Sequence, residues 1–281
     1  MYRSVFILFF LVTISCSKKE FKVEGIQFPY GYNNAQPNLV SKDGNLTLSW
    51  ISSVENQEAV LLYTQYKDNS WSEPVRITSG SDWFVNWADF PANAINGNLL
   101  LTSYLKKSAS ETYTYDILLN LETLSGNKIK DNFLLNTDGI KAEHGFVSMI
   151  PNNSSGFYVT WLDGRNTVTN TKETHHKAMT IRFAEITSTG EIINETELDA
   201  TTCDCCQTSI ALSSEGPIVV YRNRSEDEIR DIYITKYRNG VWVHPMPVHN
   251  DGWEINGCPV NGPKVVVNQT TTAVAWFTAA D

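Results

Sequence analysis

Basic residues are scarce in this chain of 281 residues: 22 lysines and arginines stand against 31 aspartates and glutamates, for a formal net charge of −9. The basic residues form no visible cluster, and binding to a phosphate backbone needs one, so the sequence predicts no nucleic-acid partner. Long apolar runs are also lacking. After residue 16, none is long enough to cross a bilayer.

The apolar run at residues 5–14 is too short to span a membrane and follows Arg3, as in an export signal. Residues 1–16 resemble a bacterial lipoprotein signal in which Cys16 is lipidated, although Thr13 stands where leucine is usual. Residues 17–32 would then be a tether. An ordinary secretory signal is the alternative. Both alternatives predict export; lipidation further predicts attachment to a membrane of the cell envelope, on its periplasmic or outer face.

Sustained helical periodicity is absent from Asn33 onward, and short β-rich runs alternate with Gly, Asn, Asp and Ser. This pattern predicts an all-β fold. Five of the runs end on an aromatic residue, at intervals of 54, 57, 60 and 55 residues: Trp50, Tyr104, Trp161, Tyr221 and Trp276. Such regular spacing indicates an internal repeat.

Each repeat has a strand before its aromatic strand, joined by a tight turn, and a third strand after it. A fourth strand is clearest at residues 71–75 and 242–246. Four short strands recurring in this way predict a β-propeller of four-stranded antiparallel blades. A sandwich of evenly spaced strands is the alternative. The propeller is favoured because Trp71 matches Trp242 and Pro74 matches Pro245 at one constant offset.

The turns at residues 66–71 and 237–242 resemble degenerate Asp-boxes, the BNR-type turns between the last two strands of a sialidase blade. With the repeats, they make residues 33–281 similar to the six-bladed sialidase-like propellers of bacterial exported lipoproteins. The fifth repeat has only its first two strands, so we expect a propeller that is incomplete after about four and a half blades.

The resemblance implies a carbohydrate or glycoconjugate ligand and no cofactor. Sialidases hold the sialic acid carboxylate with three arginines and use an Asp acid/base with a Tyr–Glu pair. The first arginine normally belongs to an Arg-Ile-Pro motif, but residues 27–32 read QFPYGY. The sequence therefore leaves two functions open: a sialidase-like glycoside hydrolase, or a non-catalytic binding or assembly module.

In a propeller, the loops that lead into the first strands converge around the axis. By repeat register, these loops and the turns after the aromatic strands supply three candidate catalytic residues: Asp89, Glu143 and His144. The same segments supply eight candidate ligand-binding residues: Gln36, Trp87, Asp163, Arg165, Gln207, Arg222, Arg224 and Asn261.

Each candidate also has a structural interpretation. His144 beside Glu143 suits acid/base chemistry, or it lines the channel as a hydrogen-bonding group. Asp163 and Arg165 bind ligand or form an ion pair between blades, and Arg222 and Arg224 contact ligand or are neutralised by the acidic residues 226–228. Trp87 stacks on a sugar ring or packs between blades.

Four cysteines lie within residues 203–258: Cys203, Cys205, Cys206 and Cys258. An even number in an exported protein favours disulfides, with three connectivities open. The repeat register makes a bridge from Cys206 to Cys258, between adjacent blades, geometrically reasonable. The alternative is a thiolate metal site with His144 as a fourth ligand, although the Cys-x-Cys-Cys spacing matches no standard zinc or haem pattern.

Overall fold

The computed structural model describes residues 22–31, 33–53, 58–168, 178–269 and 271–280. The predicted export signal, Cys16 and the first part of the predicted tether lie outside the described residues, as do residues 169–177. The chain divides into two compact units, residues 1–30 and residues 31–281. The described part of the first unit, residues 22–30, contains no helix or strand.

The second unit is almost entirely β-structure. Its first sheet contains β1 (Asn34–Lys42), β2 (Asn45–Ser53), β3 (Ala59–Lys67), β4 (Ser70–Trp71) and β5 (Val75–Gly80). The second sheet contains β6 (Asn93–Asn96), β7 (Leu99–Lys107), β8 (Tyr115–Thr123) and β9 (Lys128–Leu134). The third contains β10 (His144–Pro151), β11 (Phe157–Asp163), β12 (Met179–Ile186) and β13 (Ile192–Thr202), with the one-turn helix α1 (Arg165–Val168) after β11.

The fourth sheet contains β14 (Ser209–Leu212), β15 (Pro217–Arg222), β16 (Ile232–Arg238), β17 (Val241–Trp242) and β18 (Met246–Pro247). The fifth described sheet contains β19 (Lys264–Asn268) and β20 (Thr271–Ala275). All of these strand pairs are antiparallel, and the strands pair in chain order except that β5 pairs with β3 and β18 pairs with β16. This confirms the predicted β-propeller of four-stranded antiparallel blades.

The first strands of successive blades contact one another in the order β1, β6, β10, β14, β19. These strands therefore surround the channel, as the sequence predicted. Apolar clusters fill the space between neighbouring blades. Leu61 and Tyr63 of blade 1 lie in one cluster with Leu100 and Tyr104 of blade 2, and Trp161 of blade 3 lies in another with Ile117 of blade 2. Burial of these faces holds the blades together.

The two Asp-box-like turns form tight hairpins. Asp68 and Asn69 have φ of 51° and 60°, and Asn239 and Gly240 have φ of 52° and 83°. Two successive positive φ values are those of a type I′ turn, which suits the twist of a hairpin. Trp71 pairs with Tyr66 across the first turn, and Trp242 pairs with Tyr237 across the second. In the part of the chain that the structure describes, no helix is long and apolar enough to cross a membrane.

Candidate active site

A pocket of about 400 Å³ lies where the loops that lead into the first strands of blades 2, 3, 4 and 5 meet. Five aromatic side chains line it, Phe84, Trp87, Tyr113, Tyr115 and Phe146, together with three carboxyl side chains, Asp89, Glu143 and Asp204. We call it the acidic aromatic pocket. Three predicted site residues, Trp87, Asp89 and Glu143, therefore lie together.

The main chain at the start of blade 3 fixes the position of Asp89. Its Oδ1 accepts a hydrogen bond from the backbone N–H of Phe146 at 2.7 Å. Phe146 has φ of 54° and lies in a register shift of β10 between Gly145 and Ser148. Bulges of this kind often lie next to active sites, where they redirect backbone groups. A Cβ on Gly145 would lie 1.8 Å from Asp89 Oδ2, so only glycine permits this approach.

Tyr115 joins the two candidate catalytic carboxyl groups. Its hydroxyl lies 2.8 Å from Glu143 Oε1 and 3.2 Å from Asp89 Oδ2. A phenol has one proton, so it can donate to only one of these oxygens at a time. When the phenol donates to one carboxyl group, the other can still form a hydrogen bond if it is protonated and donates to the Tyr115 oxygen. The geometry therefore fits a shared-proton chain from buried Asp89 through Tyr115 to Glu143.

Burial favours the neutral form of both carboxyl groups. It raises the pKa of Asp89 to about 8, and the nearby charge of Glu143 acts in the same direction. Burial also raises the pKa of Glu143 to about 7, although the hydrogen bond from Tyr115 lowers it. Asp89 is only 4 % exposed, whereas Glu143 is half-buried and borders the pocket. Glu143 is therefore the member of the pair that a ligand can reach.

The raised pKa of Asp89 predicts a pH-dependent stability. An unfolded aspartate titrates near about 3.9, so between about pH 4 and pH 8 folded Asp89 holds a proton that the unfolded chain has released. The free energy of unfolding then falls as pH rises, by up to about 1.4 kcal/mol per pH unit. We expect Asp89→Asn to flatten this fall in urea unfolding measured from about pH 5 to pH 8. Parallel profiles for the two proteins would contradict the assignment.

His144 does not join the acidic aromatic pocket. It is fully buried, and its Nε2 lies 3.2 Å from Asp138 Oδ2 and 3.7 Å from Asp163 Oδ1. Its Nδ1 lies 3.2 Å from the carbonyl of Tyr115. These contacts favour the structural interpretation of His144, as a buried hydrogen-bonding group where blades 2 and 3 meet, over the predicted catalytic one.

Asp163 and Arg165 form an ion pair within the same buried cluster. Arg165 Nη2 donates to Asp163 Oδ2 at 2.7 Å and to Glu195 Oε1 at 3.2 Å, and lies 3.1 Å from Asp138. Burial alone would raise the pKa of Asp163, but the Arg165 hydrogen bonds outweigh it and lower the pKa. The pair lies within blade 3, not between blades, and neither residue lines the acidic aromatic pocket.

Gln207, Arg222 and Asn261 tie blades together. Gln207 Nε2 donates to the carbonyl of Ala88 at 2.7 Å, and its Oε1 accepts from the N–H of Gly262 at 3.1 Å. Arg222 is 2 % exposed. Its Nη2 donates to Asn261 Oδ1 and to the carbonyl of Phe277, both at 2.9 Å. These contacts indicate a structural role for residues that the sequence predicted to bind ligand.

The last two predicted ligand-binding residues also lie outside the pocket lining. Arg224 donates to Asp204 Oδ2 at 2.9 Å and to Glu228 Oε1 at 2.6 Å, so acidic neighbours neutralise it as the alternative interpretation held. Gln36 has φ of 57° and lies in the register shift of β1.

The predicted disulfides are not present among the described cysteines. Cys203, Cys205, Cys206 and Cys258 are free thiols. The Sγ of Cys203 lies 3.5 Å from that of Cys206 and 3.9 Å from that of Cys205, whereas a disulfide needs about 2.05 Å. Hydrogen bonds from Cys205 and Cys206, aided by the guanidinium of Arg230, lower the pKa of Cys203 far below that of an ordinary thiol.

Among the residues of this pocket that sequence reasoning missed are Phe84, Tyr115 and Asp204. Tyr115 opens β8, a third strand, and the sequence pattern placed only the loops before first strands near the axis. Phe84 stacks on Tyr115 with ring centroids 4.2 Å apart. Asp204 lies inside the cysteine motif, and the sequence analysis assigned a function to the cysteines of that motif but not to Asp204. The motif's place in a loop before a first strand was the signal that could have identified it.

Comparison with known proteins bears on the fold. No protein-family model and no curated protein matches the chain. Among solved structures, it is similar to an α-L-arabinanase of Penicillium chrysogenum complexed with arabinobiose, at 13% identity and a TM-score of 0.54, over 86% of this chain and 75% of that one. The likeness is one of fold.

A second solved structure supports the same conclusion. It is the GH93 α-L-arabinofuranosidase of Fusarium graminearum with arabinobiose, at 15% identity and a TM-score of 0.53, over 86% of this chain and 74% of that one. The propeller fold is therefore shared with glycoside hydrolases. The resemblance to the sialidase-like family and to its lipoprotein branch stays a prediction.

Proposed function

We propose that this propeller binds a glycan in the acidic aromatic pocket and hydrolyses a glycosidic bond there, with Glu143 as the proton donor. The observation that carries the proposal is the Asp89–Tyr115–Glu143 hydrogen-bonded chain at the pocket wall. Burial raises the pKa of Glu143 to about 7, and a carboxyl group that still holds a proton near neutral pH can protonate a leaving-group oxygen. Asp204 is a second carboxyl group in the lining.

The aromatic lining supports a sugar ligand. Trp87 is 74 % exposed, and it borders the pocket beside Phe84 and Tyr113. An exposed indole offers a large apolar face to the C–H groups of a sugar ring and a polar edge to its hydroxyls. A large exposed aromatic side chain next to a carboxyl pair is typical of a binding site.

The charge of the lining favours a neutral glycan over a sialoside. Three carboxyl side chains line the pocket, and no lysine or arginine is among its described lining residues. A sialic acid carboxylate would therefore find none of the convergent arginines that recognise such groups. The structural neighbours named above are an arabinanase and an arabinofuranosidase, both in structures with arabinobiose. An arabinose-containing oligosaccharide is therefore the first ligand class that we propose.

Export and lipid anchoring at Cys16 complete the proposal. The support is the apolar run at residues 5–14, with Arg3 before it and Cys16 after it. A lipid-anchored propeller in the cell envelope would meet glycans outside the cytoplasm. Labelling of cells with a clickable fatty acid, followed by capture of this protein, tests the anchor, and Cys16→Ser should abolish the label.

A glycan panel tests the function. We expect purified protein to bind and cleave neutral arabino-oligosaccharides and to ignore sialosides, measured by calorimetry and by release of reducing sugar. Binding without cleavage of any substrate would identify the non-catalytic module instead. Absence of both binding and cleavage across the panel would refute a glycan function for this pocket.

Trp87→Ala gives a sharper test of where the glycan binds. Because Trp87 borders the pocket and is largely exposed, we expect its loss to weaken glycan binding about 10- to 30-fold, or about 1.4–2 kcal/mol, with little change in thermal stability. Trp87→Phe should keep most of the affinity. Val241→Ala, which trims an exposed apolar side chain on the distant β17, is the control. Equal affinities for Trp87→Ala and the control would place the glycan elsewhere.

A further inference from the structure

Three thiols converge in the loop before blade 4. The ligand atoms of Cys203, Cys205 and Cys206 all lie within 4.8 Å of one another. Cys203 is fully buried and Cys206 is 2 % exposed, whereas Cys205 is half-buried and lines the acidic aromatic pocket. We propose that these three cysteines bind a thiophilic divalent metal ion, with Zn²⁺ as the physiological candidate.

The sulfur separations fit a metal ion better than a disulfide. Zn²⁺ binds thiolates at about 2.3 Å in tetrahedral geometry, which places two sulfur ligands about 3.8 Å apart. The Sγ atom of Cys203 lies 3.5 Å from Cys206 and 3.9 Å from Cys205. Ligation therefore needs only small side-chain shifts, whereas a disulfide requires one of these pairs to close to about 2.05 Å.

A buried cation faces the cluster. Arg230 is 3 % exposed, and its Nη1 donates to Cys203 Sγ at 3.0 Å. Three thiolates around a divalent ion carry one net negative charge, which this guanidinium offsets. Metal sites commonly have such a charged or hydrogen-bonding partner behind the ligands.

The three-cysteine cluster is accessible from the acidic aromatic pocket. Cys205 borders the acidic aromatic pocket, so an ion and a fourth ligand can reach the cluster from there. The sequence suggested His144 as that fourth ligand, but His144 belongs to a separate group with Asp138 and Asp163. Cys258 lies outside the three-sulfur set, so water from the pocket is the fourth ligand that we propose.

Titration of the full chain with Cd²⁺ tests the proposal. The protein is purified with reductant, freed of it under anaerobic conditions, and titrated with Cd²⁺ as a spectroscopic probe that Zn²⁺ then displaces. We expect a sulfur-to-metal charge-transfer band that saturates at one equivalent, and a higher Tm in the metal-bound protein. Cys205→Ser and Cys206→Ser each remove a proposed metal ligand, so each should weaken Cd²⁺ binding by at least about 100-fold. That is the largest loss of metal affinity typical for mutation of a residue that only hydrogen-bonds a ligand.

Cys258→Ser is the matched control, since it removes a thiol in the same pocket but outside the three-sulfur set. We expect it to keep one equivalent of Cd²⁺ with an affinity within about 10-fold of the parent chain. Circular dichroism checks that each variant is folded, and the half-buried Cys205 gives the variant least disruptive to packing. Two results would overturn the proposal: no charge-transfer band in the fully reduced folded chain, or equal losses for Cys258→Ser and Cys205→Ser.

Discussion

Glu143→Gln should abolish most glycoside hydrolysis, lowering kcat/KM by about 10²- to 10⁴-fold on the best substrate of the panel. Glutamine keeps the shape of the side chain and can still hydrogen-bond the Tyr115 hydroxyl, which lies 2.8 Å from Glu143 Oε1. It cannot give up a proton. Glycan affinity and Tm should therefore change little while turnover is lost, which is the signature of a group acting in the transition state.

The pH profile gives this prediction a second readout. Burial raises the pKa of Glu143 to about 7, and a proton donor works only in its protonated form. kcat/KM should therefore be highest below about pH 7 and fall as the pH rises through that value. Tyr115 lowers this pKa through its hydrogen bond, so Tyr115→Phe should move the fall to higher pH.

Glu73→Gln serves as the control for Glu143→Gln. Glu73 is an exposed glutamate between β4 and β5, on the outer part of blade 1. Its substitution should leave kcat/KM and the pH profile unchanged. If Glu143→Gln retained turnover within about 3-fold of the parent protein, Glu143 would not be the proton donor. Asp89 acts through Tyr115, so Asp89→Asn should cost less turnover than Glu143→Gln.

Arg222→Met should destabilise the protein by about 3 kcal/mol or more in urea unfolding. The guanidinium is buried, donates to Asn261 and to the carbonyl of Phe277, and lies 4.9 Å from the ring centroid of Trp253. Methionine fills similar space but leaves those buried oxygens without a donor. Arg222 of blade 4 thereby holds the segments before β19 and after β20 of blade 5, so we expect the apparent Tm of the variant to fall by several degrees.

The matched control is Arg238→Met. Arg238 makes an ion pair with Glu215 at 2.8 Å, and both side chains are about half exposed. A surface pair of this kind contributes at most about 1 kcal/mol, so the control should unfold near the parent protein. If Arg222→Met lost glycan affinity but kept its stability, the ligand-binding role predicted from the sequence would be correct and the structural role wrong.

Much of the fold was predictable because it repeats. Trp50, Tyr104, Trp161 and Tyr221 are separated by one blade each, and the structure places them in β2, β7, β11 and β15, the second strands of successive blades. Alternation and turn chemistry act over a few residues, so a sequence displays them directly.

The site was only partly predictable. Repeat register brought Trp87, Asp89 and Glu143 to the same end of the propeller, and they do line one pocket. His144 follows Glu143 in the sequence, yet its side chain is fully buried beside Asp138 and Asp163 and does not line the pocket. Arg222 looked available for a ligand, but carbonyls of Asn261 and Phe277, 39 and 55 residues away, take up its donors.

The sequence by itself determined the all-β repeat, the acidic charge, and the cysteine motif at residues 203–206. Only the tertiary structure decided how these features act: it placed Tyr115 between Asp89 and Glu143, and Arg230 behind Cys203. The reason is physical. Period and composition follow from local backbone chemistry, whereas a pKa, an ion pair or a ligand set depends on atoms that blade packing brings within about 4 Å of each other.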